Sequence, residues 1–160
     1  MVSEFVTAEN VNQILERHDL SGEIDLLSID IDGMDLWVWK AINAVRPRVV
    51  VIEFQDILGA HRSVSIPYDA DFRARDYSTN RTMNNYVGAS LAAMVKLGKE
   101  KGYRLVGVNR MAFNAFFVRN DLAPDLLPEV KAQDCLKHPW NDYGARFRYP
   151  EVEDMNWVKI

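Results

Sequence analysis

The stretch LLSIDIDGMD, residues 26–35, places Asp30, Asp32 and Asp35 around Gly33 directly after an apolar run. In open α/β sheets, ligands bind beyond the carboxyl ends of the strands, which is where these acids fall. A carboxylate there can take a proton from a hydroxyl, and several together can hold a hard divalent cation such as magnesium or manganese. Glu53 closes a second apolar run, RVVVIEF. An acid ending a buried strand is costly unless a ligand, a cation or an arginine faces it. Asp30, Asp32 and Glu53 are therefore the candidate catalytic residues and the candidate metal ligands. A structural reading stands beside this one: Asp30 and Asp32 also suit the turn and amino-terminal dipole of a helix starting near Asp35.

Four further residues are candidates for contact with a substrate. Asp35 closes the acidic stretch, His61 and Tyr68 offer an imidazole and a phenol in a long polar segment, and Asn114 sits in a turn between two strands. Two of them have a bland alternative: a solvated loop for His61 and satisfaction of the turn for Asn114.

The elements that would position these groups alternate between strand and helix, the pattern of a layered α/β domain with a mainly parallel sheet. Residues 2–6 suit the tail of a strand. Thr7 then caps a helix running to about His18, with Asn10 at the third position. Ile24 to Ile31 reads as a strand whose nearly continuous apolar character predicts burial on both faces. Leu36, Trp39, Ala41 and Ile42 form a helical stripe ending before Arg46-Pro47, and Arg48 to Phe54 is a second buried strand. Gln55 to Asn85 carries little periodicity and is too long for an ordinary connection. A helix from Ser90 to Lys101 stops at Gly102, and Tyr103 to Val108 and Ala115 to Val118 form an antiparallel pair. The last forty residues read as an irregular tail packed by Trp140, Phe147, Tyr149 and Trp157.

Composition narrows the partners. The 160 residues carry a formal charge of −4, the wrong sign for a surface that neutralises phosphates, so no nucleic-acid partner is expected. The single Cys135 cannot form an internal disulfide and reads as a packing residue. No basic leader precedes an apolar segment, and no run approaches the length of a membrane span. A cytoplasmic location without membrane contact is the expectation.

Two resemblances follow. The apolar strand followed by Asp-x-Asp-Gly resembles the opening of haloacid-dehalogenase-type phosphatases, which would make Asp30 a nucleophile and Asp32 a proton carrier beside magnesium. The remainder of that constellation is missing, since Glu53-Phe54 stands where a Ser or Thr belongs. The second covers about Ile24 to Leu122: IDLLSIDIDGMDLWVWKAI, RPRVVVIEF, VGASLAAMVKLGKEKGYRLVGVN and NAFFVRNDL resemble the carboxyl-terminal half of FkbM-type, S-adenosylmethionine-dependent methyltransferases. This resemblance implies a partial Rossmann-like methyltransferase sheet over residues 1–122, closed by an antiparallel strand pair, with residues 123–160 as an irregular extension packed on it. It further implies S-adenosylmethionine as cofactor, a small-molecule hydroxyl acceptor, and O-methyl transfer assisted by Asp30 or Asp32.

The glycine-rich cofactor turn of that family has no counterpart here, because no Gly-x-Gly occurs in the chain. The expectation is therefore weak cofactor binding by this chain alone, with a homo-oligomer or a separate amino-terminal half completing the fold. A non-catalytic, oligomerising half-domain is the alternative.

Overall fold

A computed structural model describes residues 3–73 and 85–160. Val2, where a strand tail was expected to begin, lies outside these residues, and residues 3–6 are in no strand. Part of the long segment Gln55 to Asn85 also lies outside them.

The chain is an α/β fold with a mixed four-stranded sheet and a separate two-stranded one. Helix α1 (Val11–Arg17) leads into β1 (Gly22–Ile29), α2 (Asp35–Ala41) and β2 (Val45–Glu53). A 3-10 turn at Asp56–Leu58 and the short β3 (Val64–Ser65) follow, then α3 (Leu91–Glu100), β4 (Tyr103–Val108) and β5 (Asn114–Arg119). The remainder holds α4 (Ala132–Cys135), α5 (Pro139–Tyr143), a π-type turn at Gly144–Arg148, a 3-10 turn at Tyr149–Glu151 and β6 (Val158–Lys159).

Helix α1 starts at Val11 with Asn10 as its N-cap residue, later than the Thr7 cap expected from the sequence. Thr7 Oγ1 accepts from the Asn10 amide at 3.3 Å, while Asn10 Oδ1 accepts from the Thr7 amide at 2.8 Å, so both residues satisfy each other's donors before the helix proper begins. At α3, Ser90 Oγ accepts from the Ala93 amide at 3.1 Å.

The sheet runs β1-β2-β5-β4. Among the described strands of this sheet only β1 and β2 are parallel; β5 is antiparallel to both β2 and β4. The expectation of a mainly parallel sheet is thus corrected to a mixed one, while the closing antiparallel pair is present. The reason is the tight turn after β4, which brings β5 back into the position beside β2.

One face of the sheet carries the core. Leu27, Ile29, Val50, Ile52, Ala115 and Phe117 pack beneath α2 and α3, with Trp39 5.0 Å from Phe117 between ring centres. Gly98 permits this approach: a β-carbon there would lie 2.9 Å from the Phe117 ring.

The opposite face is far less covered. By register it holds Leu26, Val49 and Val118 in one row and Ser28, Val51 and Phe116 in the next. Leu26 is 57% exposed, and Val49, Val51 and Phe116 are only half-buried. This overturns the expectation that β1 is buried on both faces. Its apolar sequence suits an interior strand, but it lies at the sheet edge, with no helix of the described residues over its second face.

The polar segment after β2 is also more built than a solvated loop. Ile57, Leu58 and Ile66 are almost completely buried. They are covered by the carboxyl-terminal region, through Val152 on Ile57 and Leu58 and through Trp157 near Ile66. Tyr149 and Trp157 pack as expected, whereas Phe147 and Trp140 are exposed and belong instead to a surface row with Tyr143. Cys135 is half-buried against the main core.

Candidate functional site

The acidic stretch forms the turn between β1 and α2. Asp32 has φ +57° and Gly33 φ +141°, so the chain reverses through two residues in conformations that most side chains avoid. Asp35 holds the turn closed. Its carboxylate is 1% exposed and accepts from the Ile31 amide at 3.0 Å and the Gly33 amide at 2.9 Å. Burial raises its pKa, and the two amide bonds oppose that rise. Asp35, expected to meet a substrate, is instead buried and committed to its own backbone.

This turn directs Asp30 and Asp32 toward the end of β2. Oxygens of Asp30, Asp32 and Glu53 all lie within 4.8 Å of one another, with the two aspartates exposed and Glu53 half-buried. Burial pushes the Glu53 carboxyl up to about 7, reinforced by the charges of Asp35, Asp30 and Asp32. A carboxylate near neutrality exchanges protons readily with a hydroxyl.

Asn114 is the cross-strand partner of Glu53, and directly paired residues of antiparallel strands project to the same face. Its amide and that of Phe113 both donate to Asn109 Oδ1, at 3.2 and 2.8 Å, which fixes the turn leading into β5. The two other expected contacts are placed elsewhere. The Tyr68 hydroxyl donates to the Glu9 carboxylate and accepts from the Ala8 amide at 3.2 Å, tying it to the approach to α1. His61 is exposed in the turn before β3 and is not part of the acidic cluster.

An apolar cleft of 240 Å³ adjoins the same turn, lined by Glu4, Phe5, Val6, Ile31, Met34 and Phe72. Periodicity did not reveal it, because Phe5, Ile31 and Phe72 come from three unrelated segments. Gly33 was the available signal: the Phe72 ring occupies the space where a side chain would be, 2.4 Å from a β-carbon built there.

No family model matches the sequence, and no curated protein or solved structure matches it.

Crowding of the acids has a measurable consequence. A carboxyl whose folded pKa of about 7 exceeds its unfolded value near 4.5 binds more protons in the folded state between those values. Stability therefore declines as pH rises through that window. Glu53→Gln is expected to raise the stability at pH 8 by about 1 kcal/mol after allowance for partial exposure, or about 3 °C in melting temperature, with little effect at pH 4. Thermal melts at both pH values check this; an equal shift at each would show that charge is not the cause.

Proposed function

We propose that the chain is a methyltransferase-type, Rossmann-like α/β domain that receives a small-molecule hydroxyl at the carboxyl ends of β1 and β2. The supporting observation is the convergence of Asp30, Asp32 and Glu53 within 4.8 Å, at the sheet end where α/β proteins carry their ligands. In this reading Glu53 takes the acceptor's proton, Asp30 and Asp32 orient the hydroxyl, and Asn114 offers a neutral polar group from the adjacent strand.

The described residues do not offer S-adenosylmethionine a complete site. The cleft beside the turn has 240 Å³ and mostly apolar walls, below the roughly 300 Å³ at which small-molecule sites begin, and the described residues lining it include no cation to pair with the cofactor's carboxylate. Hard carboxylate oxygens do suit magnesium or manganese. As an alternative to proton removal by Glu53, Asp30, Asp32 and Glu53 would together hold such an ion, which would supply Lewis acidity that eases loss of the hydroxyl proton.

Asp32→Asn is the informative substitution, because asparagine tolerates a positive φ as well as aspartate does and removes only the charge. Manganese titration followed by electron paramagnetic resonance is expected to give saturable binding to the native chain, a loss of at least tenfold in affinity in Asp32→Asn, and an unchanged melting temperature. Binding that survives the substitution would remove the ion from the proposal, and a large fall in melting temperature would assign Asp32 to the turn instead. Calorimetric titration with S-adenosylmethionine is expected to show no saturable micromolar binding; a clear isotherm would show that this chain holds the cofactor by itself.

A further inference from the structure

The two edges of the main sheet are treated differently. At β4 the outer edge is engaged by the chain itself, where the Val130 amide donates to the Leu105 carbonyl at 2.9 Å. At β1, among the described residues, the backbone pairs with β2 alone. An unpaired row of amides and carbonyls is a template for another strand, and proteins usually guard it with Pro, Lys or free charges. Gly22–Ile29 contains neither Pro nor Lys. Its two acids each have an arginine of the same chain beside them, Glu23 with Arg119 at 2.7 Å and Asp25 with Arg48 at 3.2 Å, and as exposed acids they keep enough charge to set the register of a partner strand.

We propose that a second copy of this chain occupies the edge, with β1 pairing antiparallel to its counterpart about a twofold axis at Leu26. The choice of occupant rests on self-complementarity. An axis at Asp25 sets that charge against itself, and an axis at Ile24 sets Glu23 against Asp25 of the other copy; directly opposed like charges destabilise a sheet. An axis at Leu26 opposes Leu26 to Leu26, Ile24 to Ser28, Asp25 to Leu27 and Glu23 to Ile29, so no charge meets its like. It also brings together the most exposed apolar side chain of the strand. The acidic clusters remain apart, because Asp30 of one copy lies level with Gly22 of the other, roughly 27 Å along the strand from its equivalent. A twofold axis is the commonest arrangement of identical chains and makes both surfaces the same patch.

Sedimentation equilibrium of the full chain at micromolar concentration is expected to give twice the chain mass. Leu26→Lys is expected to return it to a monomer, whereas Leu126→Lys, at an 81% exposed position in the carboxyl-terminal region, leaves it dimeric. Residues opposed across an antiparallel ladder have Cα atoms about 4.5–5.5 Å apart, within disulfide range. Leu26→Cys in a Cys135→Ser background should therefore oxidise to a covalent dimer. A monomeric native chain, a Leu26→Lys variant that remains dimeric, or a dimeric Leu26→Cys variant whose introduced thiol stays reduced under oxidation would each overturn the proposal.

Discussion

Replacing Arg148 by alanine is expected to cost about 4 kcal/mol of stability at neutral pH. Arg148 reaches across the fold from the π-type turn to Asp56 in the turn after β2, touching both carboxylate oxygens at 2.9 and 2.8 Å. Asn141 donates to the same carboxylate at 3.3 Å. Asp56 is 1% exposed, so loss of the guanidinium leaves a buried charge with only one neutral side-chain donor. Burial already holds the Asp56 pKa above the usual carboxylate value, against the pull of Arg148. Without Arg148 it rises further, so the penalty should shrink as the pH falls and Asp56 becomes neutral. The double variant Asp56→Leu/Arg148→Met should recover most of the loss, because a buried ion pair is often no better than apolar residues of similar volume. Denaturant melts at pH 7 and pH 5 check all three statements, and a single variant within 1 kcal/mol of the native chain would show that this contact does not hold the carboxyl-terminal region.

Gly33→Ala is expected to be about as damaging, at roughly 3–5 kcal/mol. The β-carbon would meet the Phe72 ring at 2.4 Å, and the φ of +141° is itself unfavourable to alanine. Relief of the clash requires movement of either Phe72 or the turn. Movement of the turn displaces Asp30 and Asp32, so the variant should lose manganese binding together with stability. Gly107→Ala serves as the control, since Gly107 lies in a strand with open space around it. If Gly33→Ala and Gly107→Ala melt alike, the tight packing of Phe72 on the turn is not a constraint.

Local signals in the sequence located most of the elements. The Thr7/Asn10 pair, Ser90 before an apolar stripe, and the β4–β5 turn are each set by residues close in sequence, and each forms as their chemistry dictates. The assembly of Asp30, Asp32 and Glu53 was legible too, because adjacent parallel strands bring their carboxyl ends together. What could not be read depends on neighbours distant in sequence. The apolar run of β1 says that a face can be buried, not that anything lies over it. Ile57, Leu58 and Ile66 lack periodicity because they pack against segments far later in the chain rather than as one helix face. Asp35 looked like its neighbouring acids; only the arrangement of the Ile31 and Gly33 amides distinguishes it.

The small second sheet has a kinetic meaning. Val64 and Ser65 pair with Lys159 and Val158, and the Ser63 hydroxyl donates to the Ile160 carbonyl, 97 positions away. Drawing together the ends of so long a loop costs about 4 kcal/mol of chain entropy, with only two short strands to reward it directly. The Asp56–Arg148 contact and burial of Ile57 and Leu58 beneath Val152 must therefore already be in place, or form in the same event. Refolding of this chain thus has a natural order, in which the local β4–β5 hairpin can form early while the carboxyl-terminal residues close the far side last.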